Sequence, residues 1–172
     1  MELRAATPDD VPAIAGIYAW HVLHGTGTFE TEPPDEAEVA RRLAEVQGSG
    51  LPWLVAIRDG RVVGYAYANW FRPRLAYRWC YEDSIYVAHD AVGGGIGRAL
   101  LTALLDASVT AGGRQMVAVI GDSENHGSIG LHRALGFADA GVMRAAGFKL
   151  GRWLDVVILQ RALGEGDATP PA

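Results

Sequence analysis

The chain has 172 residues, 49% of them hydrophobic, which is enough apolar surface to close one sizeable core. Against 20 Asp and Glu it carries 15 Lys and Arg, a formal net charge of -5, and this argues against a nucleic-acid surface, which needs clustered cations to neutralise phosphates. The sequence has no basic-then-apolar leader, nothing near the roughly eighteen uninterrupted apolar residues of a membrane span, and a single cysteine, Cys80, so a soluble, cytoplasmic, small-molecule protein is expected.

Residues 3–5 read as a short strand. Thr7, Pro8, Asp9 and Asp10 then supply an N-cap hydroxyl, a first-turn proline and two acids to open a helix carrying Val11, Ile14, Ile17 and Tyr18. Residues 25–34 form a loop, and Asp35 caps a second helix that places Val39, Leu43 and Val46 on one face and ends by Gly48. Strands over 53–57 and 61–68 meet at Asp59 and Gly60, a pair suited to a two-residue hairpin turn.

A strand over 82–87 follows, then a helix over 95–111 closed by Gly112 and Gly113, and a buried strand over 115–120. A short helix over 128–135 stops at Gly136, and strands over 141–148 and 153–159 complete the order β-α-α-β-β-β-α-β-α-β-β. One domain over 1–163 is expected. Residues 164–172 have no apolar period and read as a frayed tail.

Two segments point to chemistry. Between the strand ending at Val87 and the helix opening with Ile96, residues Gly93, Gly94, Gly95 and Gly97 leave main-chain amides open to an anion, and the unsatisfied first-turn N–H groups add partial positive charge. The spacing matches neither a dinucleotide fingerprint nor a P-loop, because position 98 is Arg, position 100 is Leu, and no Gly-Lys-Ser/Thr follows. Arg98, in that first turn, adds a charge for a phosphate contact.

Upstream lie Glu82 and Asp83. A carboxylate beside an incoming ammonium ion can take its proton and free the nitrogen to attack, a contribution of about 10²–10⁴-fold. Side chains alternate across a strand, so the two acids cannot both enter one cleft, and Glu82 is the preferred base. Arg72, Arg74 and Arg78 come close before it, and a guanidinium that grips a carboxylate two-pronged makes an α-amino acid a plausible acceptor. Cys80, between Trp79 and Tyr81 with no histidine nearby, reads as a small hydrophobe. Trp53, Trp70 and Trp153 read as core or interface packing.

Trp79, Glu82, Ser84, Tyr86, Val87 and the glycine loop together resemble the GCN5-related N-acetyltransferase superfamily, and closely its phosphinothricin and methionine sulfone/sulfoximine branch. Residues 28–34, 71–79, 125–137 and 147–155 extend the match over 3 to about 163. The resemblance implies a mixed, mostly antiparallel α/β (α+β) fold whose two central parallel strands separate to admit acetyl-CoA.

It also implies roles for residues of this chain. The main chain of Ile85, Tyr86 and Val87 would hold the pantetheine arm, with the Val87 amide near the thioester oxygen. Gly93, Gly94, Gly95, Ile96, Gly97 and Arg98 would take the pyrophosphate, with Asn125 and Ser128 on the pantetheine side. Glu82 would be the general base of a direct, metal-free transfer. Phe29, Glu30, Arg72, Arg74 and Tyr77 would bound the acceptor, a small amino-acid analogue, and a homodimer is implied.

The chain departs from the superfamily pattern at Val92, where Gln or Arg is usual, so one side-chain contact to the coenzyme is missing. His132 stands where the superfamily often has a tyrosine that returns a proton to the CoA thiolate. It reads equally as a helix-face histidine packed on the core. Two other functions remain open, acetylation of a different amine or a protein N-terminus, and a non-catalytic acyl-CoA sensor.

Overall fold

A computed structural model describes residues 1–171. Among them, strands β1 (Glu2–Ala5), β2 (Trp53–Arg58), β3 (Arg61–Trp70), β4 (Cys80–Val87), β5 (Gln115–Gly121), β6 (Ala138–Lys149) and β7 (Arg152–Ala162) form one sheet in the order β1-β2-β3-β4-β5-β7-β6. Helices α1 (Val11–His24), α2 (Glu36–Gly48), α3 (Ile96–Thr110) and α4 (His126–Ala134) complete the fold, and among the described residues no helix is long and apolar enough to cross a membrane.

Local chemistry sets most boundaries. Asp35 caps α2 by accepting the Glu38 amide at 2.8 Å. Asp59 (φ 53°) and Gly60 (φ 73°) both occupy the left-handed region, the requirement of a two-residue turn whose twist matches its strands. The first helix begins later than the Thr7 cap suggests. Pro8–Asp10 form a 3₁₀ turn, and the Asp10 carboxylate turns back to accept from the Thr7 amide at 2.8 Å and from Arg4 at 2.7 and 2.8 Å.

Strand β3 separates the two layers of helices. Gly64 faces α3, where a Cβ would stand 3.0 Å from the Tyr86 carbonyl oxygen, 3.1 Å from Leu100 and 3.2 Å from Ile96, so the bare backbone lets α3 seat closely. On the alternate face Tyr65 and Tyr67 stack with Trp53, at 5.8 and 4.1 Å between ring centroids, and Tyr65 meets Tyr86, which in turn meets Tyr18 of α1. Leu100, Leu101, Leu104, Met116 and Leu159 are fully buried.

The feature that positions the site is the single parallel pairing. Strands β4 and β5 are joined over four residue pairs, from Cys80 with Gln115 to Asp83 with Ala118. Beyond Asp83 the partners diverge: β4 remains paired to β3 as far as Val87, and β5 to β7 as far as Gly121. The V-shaped opening expected of the fold is there, with main-chain edges facing the gap.

Within the segment expected to fray, Gly166, Thr169 and Pro170 lie against Arg114, whose Nη1 donates to the Gly166 carbonyl and the Thr169 hydroxyl at 3.1 Å each, while Nη2 donates to the Pro170 carbonyl at 3.2 Å.

Candidate active site

A cavity of 790 Å³ fills the opening between β4 and β5. Its walls come from β4 over 82–87, the glycine loop and first turn of α3, β5 over 118–121, the start of α4, and residues 25–29.

The glycine loop has the expected form. Gly93 (φ 81°) and Gly95 (φ 75°) are left-handed, and Gly95 as N-cap of α3 has no side chain with which to cap. First-turn amides are therefore available to an anion, in the field of the helix dipole. Gly93, Gly95, Ile96 and Gly97 line the cavity, whereas Gly94 and Arg98 do not, and Arg98 is exposed. The Gly94 carbonyl accepts from Arg58 Nη2 at 3.2 Å, so it is Arg58, not anticipated from the sequence, that buttresses the loop.

The free edge of β4 places Ser84, Ile85, Tyr86 and Val87 in the cavity wall. Val87 is fixed from the other layer, because His21 Nε2 donates to its carbonyl at 2.8 Å. Burial pulls the His21 imidazole below its ordinary value, against the Val87 carbonyl, which favours the neutral donor form. Across the gap Asn125 caps α4, accepting the Ser128 amide at 3.3 Å and donating to the Gly121 carbonyl at 3.4 Å. Both Asn125 and Ser128 face the cavity.

Glu82 and Asp83 take opposite faces of β4, as alternation requires. The half-buried Glu82 has Arg72 Nη1 at 3.8 Å. Burial pushes its carboxyl above the usual carboxylate range, with Arg72 pulling it down and Asp83 pushing it up. Such a carboxylate is a better proton acceptor than one in open water.

Asp83 is buried on the other face, where its Oδ2 and His132 Nε2 are 2.9 Å apart, and His132 Nδ1 donates to the Ser128 carbonyl at 2.7 Å. Both ring nitrogens are thereby committed, leaving none to deliver a proton directly to a thiolate. His132 is 1% exposed and edge-on to Phe137, and it is also among the residues lining the cavity. Burial lowers its pKa, but the Asp83 hydrogen bond and charge and the Ser128 carbonyl outweigh that and raise it above the ordinary value. Asp83 Oδ1 is buried and has no hydrogen-bond partner among the described residues.

The expected acceptor wall divides. Phe29 lines the cavity. Glu30 does not, because its carboxylate accepts from Tyr18 Oη at 2.9 Å and from Arg42 at 2.7 Å and so anchors the loop. Arg72, Arg74 and Tyr77 are all exposed and stand outside the cavity wall, and of the three Arg72 comes nearest the base, with Nη1 3.8 Å from Glu82. Lys149, unremarked in the sequence, is buried with Nζ donating to the carbonyls of Gly25 and Thr28.

A forked parallel pair leading to a glycine-capped helix defines a class, and comparison with known proteins agrees. The profile of the Acetyltransferase (GNAT) family matches residues 14–137, and the chain belongs to that family as an N-acetyltransferase. Within it, the chain is 52% identical over 169 residues to the phosphinothricin N-acetyltransferase of Alcaligenes faecalis, covering 98% of this chain and 86% of that protein. It is 39% identical to the L-methionine sulfoximine/L-methionine sulfone acetyltransferase of Pseudomonas aeruginosa, covering 98% of each. The crystal structure of a phosphinothricin acetyltransferase from Sinorhizobium meliloti in complex with AcCoA superposes with a TM-score of 0.97 at 50% identity, over 99% of this chain and 92% of that one.

Proposed function

We propose that the enzyme transfers the acetyl group of acetyl-CoA to the α-amine of a small amino-acid analogue, with phosphinothricin, methionine sulfoximine and methionine sulfone as leading acceptors. The fork carries this reading: just past Glu82 and Asp83, the last residues of β4 paired to β5, an unpaired β4 edge runs towards a helix N-terminus capped by glycine. The fit to the coenzyme is chemical. Main-chain groups of Ile85 to Val87 suit the amides of a pantetheine arm, and the amides after Gly95 suit a pyrophosphate.

The acceptor arrives as an ammonium ion and gives one proton to Glu82. Its nitrogen attacks the thioester carbonyl, with the Val87 amide stabilising the developing oxyanion, and as the C–S bond breaks the nitrogen's second proton passes to the departing thiolate, releasing the amide and CoA thiol. Arg72, beside Glu82, suits the acceptor's carboxylate, which would bring the amine to the base. The names of the relatives support an amino-acid analogue as acceptor. Homodimer assembly belongs to the same reading, and Phe148, Leu150 and Trp153, exposed at 60%, 54% and 66%, offer an apolar face that such a contact would cover.

Thiol release from acetyl-CoA, followed across a panel of amino acids and amines, tests the reaction and its acceptor together. Glu82→Gln is expected to cut kcat at neutral pH by at least about tenfold while acetyl-CoA affinity holds. In the wild type, activity should decline on the acid side at a pH above the usual carboxylate range, because the protonated Glu82 cannot act as base. Unchanged turnover in Glu82→Gln removes the base. Coenzyme binding with no acceptor-dependent thiol release makes the protein a sensor.

A further inference from the structure

Residues 25–29 have no regular structure, yet three other elements hold the segment. Tyr18 Oη and the Thr28 hydroxyl are 2.8 Å apart, and Arg42 of α2 holds Glu30 immediately beyond. From β6, Lys149 Nζ donates to the carbonyls of Gly25 and Thr28, each at 2.8 Å. Lys149 is 6% exposed, and an ammonium so placed is stable only where hydrogen bonds replace its water. Both of those bonds go to this one segment.

The same strand gives Phe29 its seat. A Cβ at Gly147 would fall 2.4 Å from the Phe29 ring and one at Gly121 2.9 Å from it, so the ring rests on bare main chain from β6 and from the end of β5. A Cβ at Gly121 would also come to 2.2 Å from the Thr26 carbonyl oxygen, so the segment lies directly on that strand end. Two glycines and a buried lysine therefore fix one ring that lines the cavity.

We infer that Lys149 is a positioning residue for acceptor recognition: by tying residues 25 and 28 to β6, it fixes where Phe29, seated on Gly121 and Gly147, walls the acceptor end of the cavity. The inference rests on the amino-acid-analogue reading above. The ring is backed by the glycines of β5 and β6 and its segment is tied down by Lys149, so its position sets one wall of the space left for an acceptor side chain.

The test is a double-mutant cycle read through steady-state kinetics with L-methionine sulfoximine as acceptor. Lys149→Met should raise the acceptor KM by about tenfold and leave the acetyl-CoA KM within about twofold. Combined with Phe29→Ala, it should add no further loss beyond Phe29→Ala alone, because the lysine acts through the ring. A general loss of structure would move both KM values and would be additive. Gly147→Ala, which crowds the ring but leaves Lys149 in place, should raise the acceptor KM in the same direction. An unchanged acceptor KM in either single variant, or additive losses in the double, overturns the inference. If the wild type acetylates no amino-acid analogue, the acceptor reading itself falls and takes the inference with it.

Discussion

Replacing Asp83 by Ala should destabilise the protein most on the acid side of neutrality. In the folded chain the His132 imidazolium is favoured, so the stability it contributes is fully present below the unfolded histidine pKa and is lost as pH rises through the higher folded one. Without Asp83, burial is left opposed only by the Ser128 carbonyl, and the folded pKa should fall below the unfolded value. The variant then loses stability as pH falls, the opposite slope. Both side chains are 2% exposed at 2.9 Å separation, which puts the cost of removing one partner at about 3–5 kcal/mol. For a chain of 172 residues that corresponds to a Tm lower by roughly 6–20 °C. Urea unfolding of both proteins at several pH values between about 5.5 and 9 measures the two slopes. A loss that is independent of pH, or smaller than about 1 kcal/mol throughout, would refute the argument that a charged pair sits at the base of the fork.

Arg72→Ala should raise the acceptor KM by about tenfold or more, the equivalent of one charge-assisted hydrogen bond of about 1.5–3 kcal/mol. It should also move the acid limb of the activity profile to higher pH, since the Arg72 charge holds the Glu82 pKa down. Arg72→Lys should restore the limb better than the KM, and a pH profile and KM both unchanged in Arg72→Ala would separate the arginine from the site. Gly95→Ala, at φ 75°, should cost about 1–2 kcal/mol and raise the acetyl-CoA KM, with unfolding curves and initial rates as the two readouts. An acetyl-CoA KM that does not change would detach that turn from coenzyme binding.

What the sequence disclosed is what depends on neighbours along the chain. The Asp35 cap, the Asp59-Gly60 turn and the glycine run before Ile96 each act within a few residues, and each is found where expected. Alternation along β4 was likewise enough to send Glu82 and Asp83 to opposite faces, but not to keep Asp83 out of the cleft, because the cavity opens where β4 and β5 part and both acids line it. The contacts that complete the site are distant in sequence: His21 lies 66 residues from Val87, Arg58 lies 36 from Gly94, and Lys149 lies 124 from Gly25. Each meets a main-chain carbonyl, which leaves no complementary side chain to betray the pairing. The partner of His132 was hidden for a related reason, since only the fold brings α4 across the end of the β4–β5 ladder. Strand β6 runs from Ala138, three residues before its expected start, because most of it is exposed and gives no apolar alternation.

The four residue pairs between β4 and β5 make the sheet a hinge-like seam between two half-sheets, β1 to β4 and β5 to β7. A molecule lying in the gap would bridge those halves much as an added strand would. Saturating coenzyme should accordingly slow amide hydrogen exchange on both sides of the seam at once, reaching into β7 as well as β4, and render the paired halves one mechanical unit.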